Sequence, residues 1–177
     1  MPLDRMDSMP APGPEQPIVR LQAGQTRSFI ALGHRVVVYR THWDAKHKQT
    51  IPCFRPHEEC EGHRLKLPQR AKGYLHCFHV RVQQDQPVFQ QECFLELTPV
   101  SSNDLWLGCG NPLSLRGVYF SLTRKNGPKA HLIVAVWRKE RIPLADLIEP
   151  RSPYDAVMRM WGYLDYPPEN PDENNSF

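Results

Sequence analysis

THWDAKHKQTIPCFRPHEECEGH, running from Thr41 to His63, decides how this chain folds. It places His42, His47, Cys53, His57, Cys60 and His63 in one short segment, and no other stretch concentrates metal-ligating side chains this way. His42, Cys53, Cys60 and His63 stand in the spacing H-x10-C-x6-C-x2-H. Thiolate and imidazole are the donors tetrahedral zinc prefers, so these four are the expected ligands of a structural zinc ion. Cys60 and His63 anchor the set, because Cys-x-x-His seats two ligands on one tight turn and Gly62 eases that turn. His47, His57, His76 and Cys77 compete with His42 for the fourth position. The rival readings are a Cys53–Cys60 disulfide and a chance gathering of surface histidines around two thiols. The segment reads as a loop, residues 41–67, too poor in apolar side chains to fold by burial. Bound metal would supply its folding free energy.

Strands flank this loop. Arg35 to Thr41 leads into it, and Val36-Val37-Val38-Tyr39 is apolar on both faces, which predicts a central strand. Pro68 to Lys72 reads as a polar, basic connection. Gly73 then opens a strand from Tyr74 to Val82, and Gln83 to Pro87 reads as a turn. Phe89 to Thr98 is a further strand, with Cys93, Leu95 and Leu97 on one face and Glu92, Phe94 and Glu96 on the other. Upstream, Ile18 to Leu21 and Ser28 to Leu32 are strand-like, with a turn at Gly24-Gln25-Thr26 and a break at Gly33. Downstream, Pro99 to Leu113 reads as a long connection. Arg116 to Thr123 and His131 to Trp137 flank Asn126-Gly127, a strong hairpin signal. Leu144 to Ile148 suggests one helical turn, and Pro153 to Trp161 a short helix.

The expected fold is mainly β: a small antiparallel Greek-key barrel, the OB-fold, with the zinc loop inserted between early strands. A β-sandwich is the alternative. The chain has 177 residues, enough for one domain with tails, and its 18 Pro against 10 Gly argue against a helical bundle. The domain is expected at 18–164, with a disordered N-terminal tail at 1–17 and a disordered acidic tail at 165–177. Met1 to Pro17 has no apolar run, so no signal peptide is expected, and no stretch approaches the roughly 18 apolar residues of a membrane span. The five cysteines are odd in number and not spaced as a secreted scaffold, which points to a reducing, cytoplasmic compartment.

The formal net charge of +3 matters less than its distribution. Between Arg35 and Arg81, ten basic residues face four acidic ones, whereas from Asp165 onward every charged side chain is acidic. A cationic body with an anionic end suggests a polyanionic ligand and a tail that imitates it.

His42-Trp43, Cys53 and Cys60-x-x-His63 resemble the zinc segment of the single-stranded-DNA-binding proteins of T-even bacteriophages, in which a His, a Cys and a Cys-x-x-Cys interrupt an OB-fold. The spacers here are shorter, and His63 stands where the last cysteine would be. The resemblance covers roughly residues 36–80. It implies a largely sequence-independent single-stranded-DNA-binding protein of a bacterial or phage-infected cell, acting in DNA replication or recombination. An acidic tail closed by Phe177, with Asp172 and Glu173, would recruit partner proteins, as in other single-strand binders. Self-association is possible for such proteins.

Single-strand binding needs cations for phosphates and aromatic faces for bases. The candidates are Tyr39, Arg40, Lys46, Lys48, Arg64, Lys66, Arg70, Lys72, Tyr74, Tyr119, Arg124, Lys125 and Lys129. Phe78, Phe120 and Trp137 are expected in the core instead. The alternatives are a zinc-stapled protein-interaction module of a phage or mobile-element complex, and an RNA-binding protein. No enzyme is expected. A hydrolytic metal centre needs carboxylates and a general base, and acidic residues are sparse between Arg64 and Glu92.

Overall fold

A computed structural model describes residues 17–53, 58–83, 86–110, 112–127, 132–136 and 148–162. Its spine is β5, the 15-residue strand Gln69–Gln83. Along one edge it pairs with β6, Gln86–Leu97, from Gly73↔Leu97 to Gln83↔Gln86. Its other edge is shared. The first half pairs with β3, Val37–Asp44, and the second half with β2, Thr26–Ala31.

β5 therefore begins five residues before the strand legible in the sequence. Residues 69–72 alternate, which lets a polar stretch extend a strand. Ala71 turns to one face with Gly73. Arg70 and Lys72 turn to the other, where Arg70 lies over the Trp43 ring and the Lys72 ammonium reaches Glu96 Oε1 at 3.4 Å.

The sheet runs β1-β6-β5-β2-β7-β8, where β1 is Ile18–Val19, β7 Tyr119–Arg124 and β8 Leu132–Val136. β3 lies beside β5, and β4, Gln49–Pro52, lies outside β3. β1 pairs in parallel with β6, and the other pairings are antiparallel. The result is a mixed, open sheet of eight strands among the described residues, with no pairing that closes it into a barrel. The mainly-β expectation holds and the barrel does not.

β3 is also not central. Only Thr41 and His42 have strand partners on both sides. Its apolar faces are covered from above and below instead: Val36 packs on one core cluster and Val37 on another. The hairpin read from Asn126-Gly127 is present, with Phe120↔Val136 and Arg124↔Leu132 in register.

Pro99–Gly108 is a helix, α2, where the sequence suggested a connection. Thr98 caps it: its hydroxyl accepts the Ser101 N–H at 3.1 Å, while Ser101 Oγ accepts the Thr98 N–H at 2.9 Å. Pro99 fills the first helical position, where its missing N–H costs nothing. α2 lies over the larger core, which contains Phe29, Leu75, Leu95, Leu97, Leu105, Phe120 and Leu122. A side chain at Gly73 would stand 2.6 Å from Val36 Cγ1 and 3.0 Å from Ser102 Oγ, so a glycine is needed for helix and strand to approach.

The opposite face carries Ile30, Leu32, Val80 and Tyr119, and beside them Tyr39, Tyr74, Val157 and Met158. The last two belong to α3, Tyr154–Met160, the short helix expected near the end of the chain.

Polar anchors hold the segment from Ile148 to α3. Arg116 Nη1 donates to the Leu32 carbonyl at 2.8 Å and Nη2 to the Ile148 carbonyl at 3.0 Å. Glu92 Oε1 takes Arg151 Nε at 3.2 Å and His76 Nε2 at 2.8 Å. His76 Nδ1 accepts the Arg151 backbone N–H at 3.1 Å, which requires a neutral ring. Among the described residues, the Tyr39 hydroxyl and Trp161 Nε1 find no hydrogen-bond partner. A buried polar group left unsatisfied costs about 1–3 kcal/mol.

Burial holds the His76 pKa below its ordinary 6.5, with Arg151 and Arg116 acting the same way and Glu92 opposing. Burial, Arg27 and Arg81 lower His79 likewise. The unfolded chain thus takes up these protons first. Stability is full above pH 6.5 and is lost as the pH falls from there towards the lowered folded values. Protection of the Val157 amide, its exchange rate relative to the intrinsic rate, is expected to fall as the pH drops from about 7.5 to about 5.5. A protection factor that stays constant over this range would contradict the role given to His76 and His79.

Candidate metal centre

The described residues of the Thr41–His63 segment form a β-hairpin, 41–52, and one helical turn, 61–64, where a loop was expected. Thr41 to Asp44 ends β3, and Gln49 to Pro52 forms β4, with Thr41↔Pro52 and Asp44↔Gln49 in register. Asp44 sets the turn: its Oδ1 accepts the backbone N–H of Lys46 at 2.9 Å and of His47 at 3.2 Å. Its other oxygen holds the His47 ring. This engagement takes His47 away from the cluster. After β4, Cys53 N–H bonds to the Arg40 carbonyl at 2.9 Å, which carries the strand pairing one residue further. Glu61–Arg64 forms the single turn α1, with Cys60 at its N-cap.

These elements bring His42, Cys53, Cys60 and His63 together. Their ligand atoms all lie within 4.8 Å of one another, and this His2Cys2 cluster could hold a metal ion. Cys60 Sγ lies 3.6 Å from His42 Nε2, and Cys53 Sγ lies 3.8 Å from His63 Nδ1. In a tetrahedral zinc site, bond lengths near 2.3 Å to sulfur and 2.1 Å to nitrogen put adjacent S and N about 3.6 Å apart. The cluster is built to that scale.

His42 Nδ1 sits 3.1 Å from the Leu67 carbonyl oxygen. A carbonyl only accepts, so Nδ1 carries the proton and the Nε2 lone pair faces the cluster. Gln69 Nε2 approaches Cys53 Sγ at 3.7 Å, a contact suited to a thiolate. Burial, with the Cys60 thiol next, pushes the Cys53 thiol up to about 11. A divalent cation reverses that preference by offering both sulfurs positive charge.

Gly62 makes the geometry possible. A Cβ there would lie 2.2 Å from His42 Cγ and Cδ2, so the imidazole rests directly on the Gly62 backbone. No described residue between 41 and 67 belongs to any of the three apolar clusters, and Ile51 is the main hydrocarbon side chain buried in the hairpin. Full burial of one such side chain contributes about 1.5–3 kcal/mol, too little to order the hairpin and the turn.

Other expected residues are placed differently. Cys53 and Cys60 form no disulfide. His76 is bonded to Glu92, and Cys77 faces Cys93 in the core, its thiol pushed far up by burial. His57 lies outside the described residues, as do Lys129, Trp137, Asp172, Glu173, Phe177 and the tails before Pro17 and after Gly162.

The three candidate tyrosines are core residues. Tyr74 is fully buried with its hydroxyl donating to Glu96 at 2.9 Å, Tyr39 packs under α3, and Tyr119 packs on Ile30 and Val80. A buried ring offers no face to a base, so none of them is a stacking platform. Phe120 is core as expected, and Phe78 is half-buried.

Arg40, Lys46, Lys48, Arg64, Lys66 and Arg70 are exposed around the cluster. Lys72 is drawn to Glu96, which also binds Arg20 at 2.8 Å. Arg124 and Lys125 are exposed in the distant β7–β8 hairpin, Arg124 with its guanidinium on the Leu21 carbonyl. No helix among the described residues is long and apolar enough to cross a membrane. Comparison with protein-family models, with curated proteins and with solved structures finds no match.

Proposed function

We propose that this protein binds single-stranded nucleic acid, DNA in preference to RNA, largely without regard to sequence, on a cationic surface shaped by a structural zinc ion. The observation that carries this reading is a coincidence of place. The block that gathers four metal ligands also displays Arg40, Lys46, Lys48, Arg64, Lys66 and Arg70 to solvent. The nearest acidic side chains there either turn inward, as Asp44 does, or sit on the short turn at Glu58, Glu59 and Glu61. Arg64 and Glu61 are 3.9 Å apart, an exposed contact worth about 0–1 kcal/mol that leaves the cation available.

Two thiolates and two imidazoles supply a complete tetrahedral set and leave no position for a substrate or an activated water. This supports a structural ion and a binding protein over a hydrolase. The resemblance to phage single-strand binders rests on the zinc segment alone, because the sheet around it is open. The acidic residues Asp165, Glu169, Asp172 and Glu173 would compete with DNA for the same cations and, with Phe177, recruit replication or recombination proteins.

The test is anisotropy of a labelled dT oligomer against duplex and RNA of equal length, with the full chain and with Pro167 to Phe177 deleted. Single strand is expected to bind tighter than duplex, and the deletion to tighten it further. Preference for duplex would sink the reading. Preference for RNA would transfer it to RNA. No nucleic-acid binding at low salt would leave the zinc-stapled interaction module.

A further inference from the structure

We infer that the outer plane of the Arg70 guanidinium, backed by the Trp43 indole, is a stacking site for one unpaired nucleobase. This rests on the single-strand reading above and names where a base, as distinct from a phosphate, is held. The starting point is a deficit. A single strand needs aromatic or guanidinium faces, and Tyr39, Tyr74 and Tyr119 are buried.

Within the cationic block, Trp43 is the described aromatic that reaches the surface, half-buried near the end of β3. Arg70 Cζ lies 5.5 Å from its ring centroid. The register explains the contact. Thr41 faces Arg70 across the β3–β5 pair, so Arg70 and Trp43 share one face of the sheet, one step apart along the diagonal.

Both members are held. Trp43 pairs with Thr50 of β4, and its backbone N–H donates to the Pro68 carbonyl at 3.2 Å. Arg70 pairs with Thr41 of β3, in the stretch of β5 that precedes its pairing with β6. A guanidinium lying on an indole keeps a second face turned to solvent, and Arg70 is exposed. That face is planar, cationic and pre-ordered, so a base can stack on it with little further loss of side-chain freedom.

The surroundings fit a strand passing over the site. Lys46 and Lys48 stand exposed at the adjoining hairpin turn, within reach of the neighbouring phosphates. The geometry selects an unpaired base, because a base inside a duplex presents no face. It selects no particular base, because each has a π-face.

The test compares a dT oligomer with an abasic oligomer of equal length at one low salt concentration. The full chain is expected to bind the dT oligomer roughly tenfold tighter than the abasic one. Arg70→Lys keeps the charge and loses the plane, so it should erase this preference by weakening dT binding more than abasic binding. Trp43→Ala should erase it too, and Trp43→Phe should retain part of it, with metal content unchanged in all three. Should Trp43→Ala not fold, Arg70→Lys and Trp43→Phe decide the matter.

A base preference that survives Arg70→Lys overturns the inference. Equal binding of both oligomers by the parent protein also overturns it, while leaving the cationic surface intact. Binding of neither oligomer would remove the proposed function itself.

Discussion

Replacing Cys60 with serine is expected to abolish stoichiometric zinc binding and to lower the thermal midpoint by about 10 °C. Cys60 is buried at the N-cap of α1 with its sulfur 3.6 Å from His42 Nε2, so a hydroxyl there removes one of two soft donors without offering a substitute. The cluster ties β3, the end of β4 and α1 together across a stretch that lacks an apolar core. Losing a cross-link of that reach costs about 2–5 kcal/mol, and each kcal/mol is worth about 2–4 °C in a domain of this size.

Gly62→Ala should reach the same end by another route, because its methyl would occupy the space of the His42 ring. Leu65→Ala, on an exposed side chain one turn away, should leave both readouts unchanged. Metal content by mass spectrometry and melting by calorimetry check all three. A Cys60→Ser protein that still carries one zinc per chain would refute the assigned ligand set.

Affinity for a dT oligomer is expected to fall by about two orders of magnitude as monovalent salt rises fourfold. Each phosphate neutralised on a single strand contributes about −0.7 to the slope of log affinity against log salt. Arg40, Lys46, Lys48, Arg64, Lys66 and Arg70 are the exposed cations around the metal cluster, so engagement of most of them gives a slope near −4. Replacing Lys46 and Lys48 together with alanine should flatten that slope by about 1.4. Chelation should flatten it as well, by loosening the hairpin that presents them. A titration series with a slope near zero would show that these side chains meet no phosphate.

The four cluster residues were legible because their chemistry is scarce: few positions in the chain can supply sulfur or imidazole, and four of those that can lie close together. Their setting was not legible. His42 sits on a paired strand and Cys53 directly follows one because Asp44 folds the chain back through its own carboxylate, a turn that uses neither Pro nor Gly. Gln69 to Lys72 was hidden because polar residues form a strand when β3 already offers a hydrogen-bonding edge. α2 was announced by Thr98-Pro99, a capping residue followed by a proline at the first helical position. The capping partner at the third position is Ser101 instead of the usual acidic or amide residue. The tyrosines misled for a different reason. Alternation places Tyr39 and Tyr74 on one face, but it does not reveal that α3, far along the chain, comes to rest there.

β5 serves two groups of neighbours along a single edge, and this ties metal supply to solubility. If the hairpin that the proposed zinc ion would hold detaches, Gln69 to Tyr74 loses its β3 partner, and a row of backbone donors and acceptors opens along that edge of β5. Another chain in the same condition could fill that gap. Starved of zinc, the molecule is therefore expected to self-associate, visible as rising light scattering on chelation; scattering that stays flat would mean the edge remains covered.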